Sequence, residues 1–199
     1  DILFAVGIGL GGVLAGARFG CTTGWRRLIE ERDASGVMAQ LLLLAVAAAC
    51  SIPLLAMFPG DLAAALGPPS ISLLIGAFVF GAAMQVVLGC GSGTLVNAGS
   101  GNPVGLLALP FFAIGSFAGS YHLLWWTDLG ALPIMVLQGT TGLAVTLVLL
   151  AVVAAVLLAV AAPGTRKIPT RLIWAAGIVA ALAVLNLIVA GQPWGVVYG

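Results

Sequence analysis

The chain has 199 residues, of which 62% are hydrophobic and only 7% are charged, and its formal net charge is +1. A soluble domain carries about a quarter charged residues, so this composition excludes a soluble globular protein and requires a lipid bilayer around most of the surface. A net charge this small also leaves no basic stripe for phosphates, and we expect no nucleic-acid partner.

Six apolar runs are long enough to cross the bilayer, which takes about 20 residues of helix. The sequence therefore predicts an all-α, polytopic membrane protein with about six spans, forming a single transmembrane domain over residues 1–199. In chain order the predicted spans are 2–18, 36–58, 71–88, 104–125, 137–162 and 172–190.

The basic residues indicate the orientation of the spans. All seven lie in or beside two loops, 22–35 and 163–171, whereas the loops on the opposite side carry Asp61 and Asp128. Loops rich in Lys and Arg usually remain in the cytoplasm. We therefore expect both basic loops to be cytoplasmic and the N-terminus to be outside.

A G-C-x-x-G motif occurs twice, around Cys21 and again 69 residues later around Cys90. At the same separation, Gly36 and Gly105 each begin the next apolar run. This pattern predicts an internal repeat of units 1–59 and 70–126, followed by additional spans over 134–190. Transporters built from repeats often place the transport site where their helices are broken.

Each motif predicts a glycine–cysteine hinge that interrupts a helix. We expect the glycines to let the chain turn and the short polar side chains to bond the freed backbone groups. A helix that restarts after a break directs its N–H groups and positive dipole end at the gap, which favours an anion. Thiols are soft, weak donors suited to a polarisable sulfur-containing solute. The candidate pathway residues are Cys21 and Cys90, and the candidate hinge and anion-binding residues are Gly20, Gly24, Gly89, Gly91, Gly93, Thr22, Ser92, Thr94, Asn97 and Asn102.

The remaining chemistry-bearing residues predict neither a metal site nor a cofactor. The three cysteines are widely spaced, without the CxxC spacing of a zinc site, and there is a single histidine, His122. A cysteine within an apolar run is usually a small buried hydrophobe, and this is what we expect of Cys50.

Three segments carry a family resemblance: ARFGCTTGWRRLIEERDASG (17–36), GAAMQVVLGCGSGTLVNAGSGNPVG (81–105) and AGQPWGVVYG (190–199). They resemble the YeeE/YedE family of membrane proteins, whose characterised members include a thiosulfate importer. The resemblance implies import across the bacterial inner membrane, with thiosulfate passing Cys21 and Cys90 by transient hydrogen bonds to their thiols and without catalysis. It also implies a small TusA-like sulfur-carrier protein as a partner.

The family has a third pathway cysteine in a second half, for which this chain has no match. Residues 191–199 resemble the start of that half, so we expect either a fragment or a partner chain that completes the pathway. Three alternatives stay open at this point. They are a transporter of selenium or another chalcogen, a membrane sulfurtransferase that carries a cysteine persulfide, and a structural subunit whose cysteines have no role.

Overall fold

A computed structural model describes residues 2–62, 69–130, 132–133 and 139–193. Six stretches within this part are helical, long and apolar enough to cross a membrane, which confirms the predicted all-α polytopic fold. The helices are α1 (Ile2–Ala17), α2 (Cys21–Glu31), α3 (Ser35–Met57), α4 (Ile71–Val87), α5 (Gly91–Gly99), α6 (Pro103–Tyr121), α7 (Leu123–Asp128), α8 (Gly139–Val160) and α9 (Thr170–Ala190).

Most of the predicted span boundaries agree with these helices within a few residues, and the fourth differs. The predicted span 104–125 ends at Tyr121 instead, because the chain turns at His122 and continues as the short helix α7. The start of the predicted fifth span, at residue 137, lies outside the described residues. Residues 194–199, most of the segment that resembles the start of a second half, also lie outside them.

The chain divides into two compact units, one containing α1, α2, α3, α8 and α9 and the other containing α4 to α7. The spans after residue 134 therefore belong to the unit that contains the first cysteine motif. In the first unit α3 packs against α8 and α9, and α1 packs against α9.

Small side chains build the core of the first unit beneath the first cysteine motif. Ala39 and Ala176 are completely buried, and they pack with Phe19 from the α1–α2 connection. A second cluster joins Leu28 of α2 to Val37 of α3. Alanines allow helix backbones to approach closely, which is how helices associate in lipid. The α1–α2 connection is therefore held against a rigid part of the unit.

The two basic loops meet at one backbone carbonyl. Arg32 O accepts hydrogen bonds from Ala162 N at 3.1 Å and from Thr165 Oγ1 at 3.0 Å. The loop between α8 and α9 is thereby joined to the end of α2. The basic residues of both loops consequently lie on the same side of the first unit.

In the second unit, α5 lies against the start of α6. Asn102 caps α6 by accepting a hydrogen bond from Val104 N at 2.9 Å, and Pro103 occupies the first helical position. Gly105 faces α5 so closely that a Cβ there would lie 2.7 Å from Ala98 N. The direction in which α5 leaves the break is therefore set by contact with α6.

Candidate functional site

The first break lies between α1 and α2. Helix α1 ends at Ala17, Arg18 adopts a left-handed conformation with φ of 50°, and Gly20 is extended as the N-cap of α2. The second break has the same kind of turn, since Leu88 follows α4 with φ of 57°. In both breaks the left-handed turn therefore falls on a non-glycine residue, whereas the sequence predicts it at the glycines.

The glycines of the first motif serve close packing. Gly24 lies inside α2, and a Cβ on it would be 3.1 Å from the carbonyl carbon of Gly36 and 3.0 Å from Gln40 Nε2. A Cβ on Gly36 would lie 2.9 Å from Gly24 Cα. The two glycines thus let α2 and the start of α3 touch backbone to backbone.

Gln40 contacts the first break although it lies outside the cysteine motif. Its amide Nε2 donates to Gly20 O at 3.1 Å and to Cys21 O at 3.2 Å, from 20 and 19 residues along the chain. Gly20 is the N-cap of α2 and Cys21 is its first residue, and Gly20 O also accepts a hydrogen bond from Gly24 N at 3.4 Å. Gln40 thus gives the carbonyls at the start of α2 a further donor from a neighbouring helix. The available sequence signal was a single large polar side chain within a long apolar helix, which is uncommon without a specific partner.

Thr22, next to Cys21, carries an unusual hydroxyl. The residue is only 3% exposed, and its Oγ1 has no hydrogen-bond partner among the described residues. Burying a hydroxyl without a partner costs about 1–3 kcal/mol. Such a group is suited to bonding a ligand that reaches the break.

The second break carries Cys90 as the N-cap of α5. Cys90 Sγ lies 3.3 Å from Ser92 Oγ, and Cys90 O accepts from Thr94 N at 2.8 Å. Asn97 Nδ2 donates to Leu88 O at 3.3 Å, so the short helix satisfies a carbonyl of its own break. A Cβ on Gly89 would come within 2.9 Å of Thr94 N, which explains a glycine at this position.

The other candidates of the second motif divide between the two ends of α5. Gly91 and Gly93 belong to its first turn, where a Cβ on Gly93 would meet Cys90 Sγ at 3.6 Å. Asn102 lies beyond the far end and caps α6, so the structure does not place it at the break. Cys50, which the sequence predicts to be buried, is exposed on α3.

A groove of about 490 Å³ opens beside Cys90 within the second unit. Cys90 and Thr94 provide the polar side chains among its lining residues. Its walls are apolar side chains of α4 and α6, including Phe80, Met84, Phe111 and Phe112. Cys90 therefore borders a groove whose walls are otherwise mostly hydrophobic.

Both short helices begin directly at the motifs, with Gly20 as the N-cap of α2 and Cys90 as the N-cap of α5. The first N–H groups of an α-helix have no partner within the helix and carry its positive dipole end. Each cysteine thus stands beside a helix end whose electrostatics favour an anion.

Comparison with known proteins agrees with the cysteine motifs. The model of a family described as sulphur transport matches residues 16–199, a range that includes both motifs. Comparison with individual curated proteins gives no match. The match spans more than half of the chain, and the protein therefore belongs to the sulphur-transport family, the YeeE/YedE family that its cysteine motifs resemble.

Proposed function

We propose that the protein imports a small sulfur-containing anion, thiosulfate in particular, along a pathway to which Cys21 and Cys90 contribute their thiols. The observation that carries this proposal is the position of both cysteines at the start of a short helix directly after a break. The family supports sulfur-compound transport, and the anion-favouring helix ends support a charged substrate.

The same element order supports the predicted internal repeat. A long helix, a left-handed residue, a break, a short helix and a second long helix follow one another in α1–α3 and again in α4–α6. We propose that the repeat units 1–59 and 70–126 are two versions of one thiol-bearing element. Irregular backbone at membrane depth is tolerated only where protein or water surrounds it, which favours a pathway at both breaks.

The proposal includes the orientation of the protein in the membrane. With the basic loops 22–35 and 163–171 cytoplasmic, the N-terminus lies outside the bacterial inner membrane. The joining of the two loops at Arg32 O supports one continuous basic surface on the cytoplasmic side. This is the surface on which we place the TusA-like sulfur carrier.

The test is uptake of labelled thiosulfate into liposomes that contain the full-length protein. Cys90→Ala and Cys21→Ala each remove one weak donor, and losing about 1 kcal/mol lowers uptake by about fivefold. Cys50→Ala is the matched control, because this cysteine is exposed on α3 and lies outside both breaks. Uptake that is unchanged in Cys21→Ala and Cys90→Ala would refute the thiol pathway.

The same samples separate the alternatives. A stable extra sulfur atom on Cys90, detected by mass spectrometry, would indicate a sulfurtransferase rather than a transporter. Stronger competition by unlabelled selenium-containing anions than by thiosulfate would assign the pathway to another chalcogen.

A further inference from the structure

We propose that Gln40 is the positioning residue of the first break, where it sets the direction in which Cys21 presents its thiol. The inference rests on the proposed function, since it assigns a supporting residue to one of the two pathway cysteines. Gln40 acts through the backbone of Cys21, and no direct contact with the substrate is required.

The geometry supports this role at both ends of the side chain. One amide nitrogen donates to two consecutive carbonyls, Gly20 O at 3.1 Å and Cys21 O at 3.2 Å. Two bonds from one planar group restrict the rotation of the peptide unit between these residues. The Cα of Cys21, which carries the thiol side chain, is therefore held in a fixed position relative to α3.

The other end of the side chain is anchored in packed protein. Gln40 follows Ala39, which is completely buried, and Val37 of the same helix is 2% exposed. Helix α3 packs against both α8 and α9. The Gln40 bonds thus fix the break to α3, which is held in place by two neighbouring helices. Helix α2 by itself is a short helix of 11 residues.

Close approach of the two helices makes the bond possible. A Cβ on Gly24 would lie 3.0 Å from Gln40 Nε2 and 3.2 Å from Val37 N. A side chain at this position would push α3 away from α2 and lengthen the bonds from the amide. We therefore infer that Gly24 supports the same positioning of Cys21, by allowing the Gln40 amide to reach the start of α2.

Among the described residues, the second break has a different arrangement. One repeat length of 69 residues after Gln40 lies Leu109, which has no amide. Asn97, a residue of the short helix α5 itself, donates to a different carbonyl, Leu88 O, which precedes the motif. Removal of the Gln40 amide should therefore change the reactivity of Cys21 and leave that of Cys90 unchanged.

The experiment measures both thiols in one protein. The full-length protein with Cys50→Ser is reconstituted and treated with the small anionic reagent 2-sulfonatoethyl methanethiosulfonate, and labelling of each cysteine is followed by mass spectrometry. Gln40→Leu removes the amide, and Gln40→Met removes it while keeping an unbranched side chain of similar length. Asn186→Leu is the matched control, since this amide also donates to a backbone carbonyl, that of Gln192, just beyond the C-terminal end of α9.

We expect both Gln40 variants to change the labelling rate of Cys21 by about fivefold or more, the factor associated with one hydrogen bond. The rate for Cys90 should stay within about twofold of the parent, a change below that of one hydrogen bond. Thiosulfate uptake should show a raised KM in the Gln40 variants at an equal amount of monodisperse protein. Asn186→Leu should match the parent in all three measurements.

Failure of the inference differs from failure of the proposed function. Parent-like labelling of Cys21 in Gln40→Met, or equal changes at Cys21 and Cys90, would overturn the positioning role whether or not thiosulfate is transported. If the Gln40→Leu protein aggregates, labelling of Gln40→Met alone tests the positioning role. Changed labelling of Cys21 with unchanged uptake in Cys21→Ala would retain Gln40 as an anchor of the break and overturn its role in transport.

Discussion

The contact between α5 and α6 makes a sharp prediction at Gly105. A Cβ on this glycine would lie 2.7 Å from Ala98 N, 2.8 Å from Asn97 Cβ and 3.0 Å from Asn97 C, whereas ordinary contacts begin at 3.4 Å. In Gly105→Ala, the short helix must therefore move by several tenths of an ångström. Two of the three opposing atoms belong to the backbone, so a change of side-chain rotamer cannot relieve the clash.

The same helix offers the control. Gly115 also lies in α6, and a Cβ on it would meet no atom of the described chain within 4 Å. Replacing a helical glycine by alanine contributes about 1 kcal/mol in propensity at either position. Over-packing costs about 1–3 kcal/mol at Gly105 only. We therefore expect Gly105→Ala to be about 1–3 kcal/mol less stable than Gly115→Ala.

Thermal unfolding in detergent, followed by circular dichroism, measures this difference. For a chain of this length, about 1 kcal/mol corresponds to about 2–4 °C in Tm. Gly105→Ala should also lower thiosulfate uptake, because Cys90 precedes the displaced helix, whereas Gly115→Ala should retain it. Equal Tm values for the two variants would refute the reasoning.

Three further predictions concern single side chains. Thr22→Val keeps the shape of the side chain and removes a buried hydroxyl that has no hydrogen-bond partner among the described residues. Thermal unfolding should therefore show equal or higher stability, whereas thiosulfate uptake should fall. Unchanged uptake would exclude this hydroxyl from the pathway. Asn102→Ala removes the N-cap of α6 and should lower stability by about 1 kcal/mol, seen as a lower Tm, and an unchanged Tm would contradict the capping role. Cys50→Ser, at an exposed position, should leave both Tm and uptake at parent values, and a loss of uptake would add a third cysteine to the site.

Both breaks could be located from sequence, although the residues that turn the chain could not. A Gly-Cys pair at the end of an apolar run correctly predicts that the helix stops there. The left-handed conformation then falls on Arg18 and Leu88, because the turn follows the last helical residue wherever packing ends the helix. Gly24 and Gly105 are instead required by neighbouring backbone, which is a property of helix contacts.

The amino-acid sequence by itself determined the membrane class, the six apolar spans and the two thiol-bearing breaks. These features depend on hydropathy and motifs within about 20 consecutive residues, which is the length of a span. Only the tertiary structure decided which groups support each break. Gln40 reaches Gly20 and Cys21 from about 20 residues away, and this bond exists because Gly24 and Gly36 bring two helices into backbone contact. Such an approach depends on how side-chain volumes fit across helices, and no local pattern encodes it.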